Sequence, residues 1–295
     1  MAILNVNAIT KNYGHIKALQ GVSFSVPAGS VYGILGPNGS GKTTLLGIVM
    51  NVLKATSGTY QLFDELATDA HRKKIGTLLE TPNFYHYLSA VQNLKITAAI
   101  KGVSEDGIEA VLQTVDLLHR KNSPFSTYSL GMKQRLAIGA ALLGNPDVLV
   151  FDEPTNGLDP VGIAEIRSLI KTLSANGKTI IMASHLLDEV EKVCTHVAIL
   201  KKGTLLASGS VKDIFNEQDI VQIEAADKQK LKTVLAQLNN YNSLTEVGGI
   251  VELTYHAGQA NLTHINQFCF DNGVVLSHLQ LKKSNFESKF LELTN

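Results

Sequence analysis

The stretch GILGPNGSGKTTLL, residues 33–46, decides the fold of this chain. Two of its glycines lie five residues apart and are followed by Lys42 and Thr43, which is the spacing of a phosphate-binding loop. The apolar run Val31–Leu35 precedes the loop, and a helical pattern, Thr43–Leu53, follows it. By average residue usage, this spacing arises by chance in roughly one chain in a hundred of this length. An ordinary glycine-rich turn is the alternative, but the position between a strand and a helix favours a nucleotide site.

Each residue type of this loop has a physical role in holding a triphosphate. Glycines let backbone N–H groups turn inward around phosphate oxygens without a side-chain collision. Lys42 supplies a mobile positive charge for the β- and γ-phosphates, and the Thr43 hydroxyl can bind Mg²⁺. The loop therefore predicts a site for a nucleotide and its magnesium ion.

A second motif, DVLVFDEPTNGLDP at residues 147–160, narrows the chemistry. The apolar run Val148–Phe151 predicts a strand that delivers Asp152 and Glu153 at its carboxyl end, where α/β sheets bind ligands. Asp152 is suited to hold Mg²⁺, and Glu153 would face the water that attacks the γ-phosphate. A plain strand end before a turn is the alternative, and the phosphate loop argues against it. The chain has no Asn-Lys-x-Asp motif for guanine, which weighs against a GTPase.

Composition excludes several other classes of protein. The 295 residues include 26 basic and 26 acidic side chains, so no overall basic field points to nucleic acid. No apolar run reaches about 18 residues, so no transmembrane helix is expected. The N-terminus lacks a basic region before a long apolar core, which argues against a signal peptide. Cys194 and Cys269 have no metal-type spacing and are expected to be buried thiols in a reducing cytosol.

The pattern along the chain predicts two domains. Over about residues 1–215, strands alternate with helices, which is typical of an α/β domain. Half-exposed strands are expected at Ile3–Ile9 and Val22–Val26. Strands buried on both faces are expected at four apolar runs, Val31–Leu35, Val148–Phe151, Thr179–Ala183 and Val197–Leu200.

Residues 216–295 are expected to form a small α+β domain, because the pattern changes near residue 215. Its predicted strands are Ile220–Glu224, Leu244–Val247, Ile250–Tyr255 and Val274–Leu281, and its predicted helices are Asp227–Asn239 and Gln259–Asp271. A tight hairpin is expected at Gly248-Gly249.

The stretch YSLGMKQRL, residues 128–136, places a serine and a glycine directly before a helical pattern. Ser129 is a good N-cap residue, and Leu136, Ala140 and Leu143 then recur at helical spacing. Because a capped helix end can bind an anion, this helix tip is a candidate for contact with phosphate.

Together, these motifs resemble those of the ATP-binding subunits of ABC transporters, in the order that this family has and over about residues 1–215. The resemblance implies a P-loop NTPase fold of the ABC type, a mixed sheet with a helical subdomain at about residues 82–146, and it implies ATP and Mg²⁺ as ligands. Tyr13 matches the aromatic residue that stacks on adenine. Nine residues match the phosphate loop: Gly36, Pro37, Asn38, Gly39, Ser40, Gly41, Lys42, Thr43 and Thr44. The metal positions of the family match Thr43, Asp152 and Glu80.

The resemblance also implies catalytic residues and a dimer. Glu153 matches the residue beside the attacking water, and His185 matches the switch histidine that contacts the γ-phosphate. Ser129 and Gly131 lie in the signature sequence of the family, and Asp159 lies in its D-loop. In such proteins two copies pack head to tail, and the signature helix of one copy faces the γ-phosphate held by the other. A homodimer around two MgATP is therefore expected.

Two departures from the family pattern are present. Leu130 and Met132 replace the first glycine and the glutamine of the common signature, a variant similar to that of exporters resembling antibiotic and lantibiotic self-protection systems. Glu80 stands where the family usually has glutamine, and it adds negative charge beside Asp152 and Glu153. Magnesium affinity and the timing of hydrolysis are the properties that this change would affect.

The function that the resemblance implies is that of an ATP-hydrolysing subunit of an exporter of antibiotic, peptide or lipid-like substrates. It would drive a separate transmembrane permease from the cytoplasmic face of the membrane, with no nucleic acid as a partner. Phe84, Tyr85, Tyr87 and Leu88 are a candidate docking surface for the permease, with core packing as the alternative. Two other functions stay open: a soluble ABC-type ATPase acting on ribosomes or DNA, and a nucleotide-sensing regulatory module.

Overall fold

The computed structural model describes residues 1–79, 83–215, 218–283 and 290–291 of the chain. The chain divides into two compact units, Met1–Val211 and Lys212–Asn295, each with a hydrophobic core of its own. Glu80, which the sequence predicts as a metal ligand, lies outside the described residues.

In the described residues, the first unit combines a four-stranded sheet and a six-stranded sheet with several helices. Its described strands are β1 (Ala2–Tyr13), β2 (Ile16–Pro27), β3 (Val31–Leu35), β4 (Ser57–Leu62), β5 (Glu65–Leu66), β6 (Ile75–Leu78), β7 (Val148–Asp152), β8 (Thr179–Ser184), β9 (His196–Lys201) and β10 (Thr204–Ser210). Its described helices are α1 (Lys42–Val49), α2 (Asp69–Arg72), α3 (Ala90–Lys101), α4 (Ile108–Thr114), α5 (Leu130–Leu142), α6 (Pro160–Ala175) and α7 (Leu187–Val193). A short helix, α8 (Val211–Ile214), begins at the end of this unit.

The larger sheet of the first unit brings the predicted site loops to one edge. Among the described residues its strand order is β10-β9-β3-β8-β7-β6, and all neighbours are parallel except β10 and β9. Every residue of β3, β7 and β8 is buried, which confirms the prediction of strands covered on both faces. Leu35 pairs with Ser184, and Asp152 pairs with Ala183, so the carboxyl ends of β3, β8 and β7 lie side by side.

A shared core fixes the helix that follows the phosphate loop. Apolar side chains of β1, β2, α1 and the parallel sheet pack together there. Helix α1 ends at Val49, earlier than the predicted Leu53, because Asn51 adopts a left-handed φ of 61° and the chain turns back. The side chain of Leu53 then packs against Gly47 of the same helix.

Helices α3, α4 and α5 form the helical part of the first unit. Helix α5 begins at Leu130, where the Ser129 hydroxyl accepts a hydrogen bond from the Met132 N–H at 3.3 Å, so the predicted N-cap is confirmed. At its other end, the Lys101 ammonium donates hydrogen bonds to the Ala140 and Ala141 carbonyls at 2.7 and 3.0 Å. These bonds satisfy carbonyl groups that a helix end leaves without an internal partner. Burial lowers the pKa of Lys101 to about 8.

The second unit has the βαββαβ order of ferredoxin-like domains. Its described elements are β11 (Gln218–Ala225), α9 (Lys228–Leu235), β12 (Ser243–Val247), β13 (Ile250–His256), α10 (Leu262–Asp271) and β14 (Leu276–Lys283). Within the described residues, these strands form an antiparallel sheet in the order β12-β13-β11-β14. The predicted hairpin is confirmed, since Val247 pairs with Ile250 around Gly248 and Gly249, which both have positive φ.

The expected burial of the two cysteines is confirmed. Cys194 and Cys269 are buried and free. No helix of the described ranges has the length and apolar character needed to cross a membrane.

Candidate active site

The phosphate loop runs from the end of β3 to the start of α1 and depends on glycine at its first position. A Cβ on Gly36 would lie 2.2 Å from the Leu200 carbonyl oxygen and 2.6 Å from the Ser40 hydroxyl oxygen, so no side chain fits there. Gly41, directly before α1, has a left-handed φ of 107°. The intervening Pro37, Asn38 and Gly39 are exposed. The loop therefore presents backbone to solvent at the edge of the sheet.

The start of α1 is suited to an anion. Among the described residues no side chain caps its first turn, and no acidic residue lies in that turn, so its N–H groups and helix dipole present positive charge. The buried Ser40 hydroxyl makes no hydrogen bond with the described residues. Thr43 is exposed and Thr44 half-buried in the same turn. These donors fit the oxygens of a polyphosphate.

Lys42 lies inside the loop with its charge directed to the same edge. Its side chain is 5% exposed, and its ammonium donates hydrogen bonds to the carbonyls of Gly36 at 2.8 Å and Pro37 at 3.2 Å. It also forms an ion pair with Glu153, with 3.2 Å between Nζ and Oε1. The predicted phosphate-binding lysine and the predicted catalytic glutamate are therefore in direct contact.

Glu153 and His185 meet because their strands are neighbours. Glu153 follows β7, and its N–H donates to the Ala183 carbonyl of β8 at 3.1 Å. Its Oε2 lies 2.7 Å from Nδ1 of His185, which follows β8. Glu153 also adopts an unusual φ of 48°, a strained conformation for a residue with a side chain. Such strain persists where surrounding contacts hold a functional side chain in place.

The remaining donors fit a magnesium ion bound together with phosphate. Asp152 is buried at the end of β7, and Thr43 offers an exposed hydroxyl. Mg²⁺ is usually held by one or two protein oxygens, substrate phosphates and waters rather than by a full protein cage. Accordingly, no group of three or more His, Cys, Asp or Glu side chains arranged for a metal occurs in the described ranges.

The signature and D-loop residues surround a separate cavity of about 480 Å³. Ser129 and Gly131 line it from the start of α5, and Asp159 lines it from the start of α6. The Asp159 carboxylate accepts a hydrogen bond from the Gly162 N–H at 2.9 Å, so it caps α6. Leu130 is 49% exposed at the same surface.

Tyr13 is a half-exposed aromatic ring at the end of β1. It is 45% exposed, and the Lys11 ammonium lies 4.9 Å from its ring centroid. A ring exposed in this way has a face available for stacking on a planar ligand.

Sequence reasoning missed Glu189, a buried acidic residue close to Glu153 and His185, the predicted catalytic residues. Glu189 is 0% exposed in α7, and its carboxyl group accepts hydrogen bonds from the hydroxyls of Thr155 and Ser184. Burial, and secondly the charge of Glu189, raise the pKa of the nearby Cys194 thiol. One signal in the sequence could have indicated its burial. Glu189 directly precedes Val190, a buried apolar residue of the short helix that follows His185.

Comparisons with known proteins agree with this geometry. The family model described as "ABC transporter" matches residues 19–156. The bacitracin transport ATP-binding protein BcrA of Enterococcus faecalis is 34% identical, and the match covers 99% of this chain and 96% of BcrA. The lantibiotic transport ATP-binding protein SrtF of Streptococcus pyogenes is 36% identical over 73% of this chain and 97% of its own length.

Solved structures of similar chains include cbiO1 from Clostridium perfringens, a part of the ABC transporter complex cbiONQ. It is 31% identical, with a TM-score of 0.66, over 80% of this chain and 96% of its own. The ATP-binding cassette MJ0796, in a dimeric post-hydrolysis state bound to ADP and Pi, is 28% identical with a TM-score of 0.62, over 70% of this chain and 98% of its own.

Proposed function

Because this chain belongs to the ABC transporter family, as a subunit that binds and hydrolyses ATP with Mg²⁺, we propose that it powers an exporter of peptide-like antibiotics. The observation that carries the proposal is the similarity to the bacitracin transport protein BcrA over both units of the chain. Residues 1–215 would be the ATP-binding domain, with a helical subdomain at about 82–146, and residues 216–295 an accessory domain. Soluble ATPase and nucleotide-sensing roles are not favoured, because these relatives are transport proteins.

The site residues then have defined roles in hydrolysis. The phosphate loop and the α1 amides would hold the phosphates, with Lys42 against the β- and γ-oxygens. Thr43 and Asp152 would hold the Mg²⁺ ion, which would supply positive charge to the phosphates. Glu153 would accept a proton from the attacking water, and His185, hydrogen-bonded to Glu153 at 2.7 Å, would contact the γ-phosphate.

The ion pair between Lys42 and Glu153 bears on this mechanism. A triphosphate carries more negative charge than one carboxylate, so bound ATP competes with Glu153 for the Lys42 ammonium. Glu153 is thereby left to orient water when ATP is bound. Proton acceptance by Glu153 would thus depend on occupancy of the phosphate loop.

The subunit works as a head-to-tail dimer with a second copy of itself. We assign Ser129, Gly131 and Asp159 to the surface that faces the nucleotide of that copy. Their common cavity and the exposed, capped end of α5 support this assignment, because such an end offers N–H groups to an anion.

A permease partner needs a contact surface on this subunit, and the turn that precedes α3 offers exposed aromatic side chains. Tyr85 and Tyr87 are 52% and 75% exposed and pack edge to face, with 6.0 Å between ring centroids. Phe84 instead packs on buried Phe125 at 5.2 Å. We therefore propose the two tyrosines as the contact with the permease, and Phe84 as part of the packing beneath. The subunit would lie at the cytoplasmic face of the membrane.

ATP-dependent dimerisation of the purified chain tests the site assignments. The Glu153→Gln variant is expected to lose turnover and to accumulate as an ATP-bound dimer in light scattering. Lys42→Ala should abolish ATP binding, whereas Ser129→Glu should block dimerisation and leave ATP binding intact. Full turnover by Glu153→Gln would disprove the assignment of the base.

Resistance of a bacitracin- and lantibiotic-sensitive host tests the transport role. The chain would be expressed with the membrane protein that it retains in a pull-down from solubilised membranes. The minimum inhibitory concentration of the exported class is expected to rise, and Lys42→Ala should return it to the host value. No rise with either antibiotic would reject the proposed substrate class.

A further inference from the structure

Near Glu153 and His185 lies a third ionisable side chain, the buried carboxyl group of Glu189. Glu189 is 0% exposed within α7. Its Oε1 accepts a hydrogen bond from the Thr155 hydroxyl, and its Oε2 accepts one from the Ser184 hydroxyl at 2.7 Å. Burial of a carboxyl group is costly in free energy unless its oxygens have hydrogen-bond partners. Both hydrogen bonds are therefore needed to stabilise Glu189 at this buried position.

The two hydroxyls belong to the two turns that carry Glu153 and His185. Thr155 follows Glu153 by two residues, and Ser184 directly precedes His185. The Ser184 oxygen also accepts a hydrogen bond from the Leu186 N–H at 3.0 Å, on the other side of His185. Glu189 therefore joins the end of β7 to the end of β8 through side chains, next to the backbone bond between Glu153 and Ala183.

We propose that Glu189 is a positioning residue for ATP hydrolysis, which holds the Glu153 turn and the His185 turn in register. The proposal rests on the roles assigned above to Glu153 and His185. Its physical basis is the φ of 48° at Glu153, a conformation that neighbouring contacts must maintain. Loss of those contacts would let the turn relax and would move the base relative to the γ-phosphate.

Substitution of Glu189 should lower kcat and leave ATP binding unchanged. Glu189→Ala removes both acceptors, and a misplacement of about 1 Å at a reacting group can cost about 100-fold in rate. We expect a kcat loss of about that size for Glu189→Ala and of about tenfold for Glu189→Gln, which keeps one acceptor oxygen. KM and ATP affinity should stay at wild-type values, because Lys42 and the α1 amides are not among the groups that Glu189 binds.

Glu191→Gln is the matched control, because it makes the same chemical change as Glu189→Gln in the same helix but at an exposed position. It is expected to retain the wild-type kcat. Thr155→Val and Ser184→Ala each remove one donor to Glu189 and keep the experiment decisive if Glu189→Ala fails to fold. Each should lower kcat without raising KM, and wild-type kcat in both would overturn the proposal.

A double variant separates positioning from a general loss of stability. If Glu189 acts through the catalytic pair, Glu189→Gln should slow a His185→Ala protein much less than it slows the wild type. Equal slowing in both backgrounds, with kcat measured well below the melting temperature of each variant, would overturn the proposal. A different result would reject the roles in hydrolysis proposed for Glu153 and His185: wild-type turnover by both Glu153→Gln and His185→Ala.

Discussion

Replacement of Asn93 by alanine should loosen the turn that presents Tyr85 and Tyr87. Asn93 is 2% exposed in α3, and its side-chain oxygen accepts a hydrogen bond from the Tyr85 N–H at 2.8 Å. Its amide nitrogen donates to the carbonyls of Tyr85, Leu88 and Ser89 at 3.1, 3.3 and 3.1 Å. One side chain thus holds both ends of the turn.

The size of the effect follows from these bonds. The amide has two N–H groups for three carbonyls, so the side chain makes about three effective hydrogen bonds, each contributing about 1 kcal/mol net. Alanine is a better helix former than asparagine and offsets about 0.5 kcal/mol. The free energy of unfolding should therefore fall by about 2–3 kcal/mol, which is about 5–10 °C in Tm for a unit of this size.

Urea unfolding and amide hydrogen exchange measure this prediction. Exchange should quicken at the Tyr85 N–H and at the Ser126 N–H, which donates to the His86 carbonyl at 2.9 Å. Binding of ATP should be unchanged, and retention by permease-containing membranes should weaken. Asn122→Ala, at an exposed position of the same helical part, is the control. A loss below about 0.5 kcal/mol, as for an ordinary surface change, would refute the reasoning.

Three further predictions concern the space around two glycines and the burial of the two cysteines. Gly36→Ala should abolish ATP binding measured by calorimetry, because its Cβ would lie 2.2 Å from the Leu200 carbonyl oxygen, and retained affinity would contradict this. Gly131→Ala should leave the unfolding free energy unchanged or slightly higher but weaken ATP-driven dimerisation in light scattering, since no atom of the described residues lies within 4 Å of its Cβ position. Burial raises the pKa of the Cys194 and Cys269 thiols, so both should resist a thiol reagent at neutral pH until urea unfolds the chain, and fast labelling of the native protein would argue against their burial.

The parts of the site that the sequence predicted are those set by neighbouring residues. The phosphate loop lies between β3 and α1 as its pattern indicated, and Ser129 caps α5. In both cases the residues that create the feature lie within a few positions of one another. Apolar runs likewise predicted β3, β7 and β8, because burial on both faces removes the polar alternation of a surface strand.

The contacts that the sequence could not predict join residues far apart in the chain. Glu153 contacts His185 because β7 and β8 pair in parallel. The residues around Glu153 and around His185 do not indicate which strands pair with each other. Asn93 and Glu189 are polar residues in helices, where a polar residue ordinarily faces water. Only the fold shows that both are buried and hydrogen-bonded to residues outside their own helices. For the same reason, the aromatic stretch after residue 83 could not be divided by pattern into half-buried Phe84, packed on Phe125, and exposed Tyr87.

Gly36 and Gly131 are both predicted to contact nucleotide, but we expect glycine to be needed at the two positions for different reasons, one within a single copy and one in the dimer. Gly36 is required by its own chain, because any Cβ there would collide with the Leu200 carbonyl. Gly131 lies in a helix without positive φ, and the described residues of its own chain leave open space around it. A need for glycine at residue 131 therefore arises only from a surface that approaches from outside, such as the phosphates held by the second copy. Leu130 can be a large side chain beside it, because its Cδ2 lies toward Gly157 of the same copy, 3.3 Å from the position that a Cβ on Gly157 would take. The backbone N–H groups of the helix end then remain open to an anion.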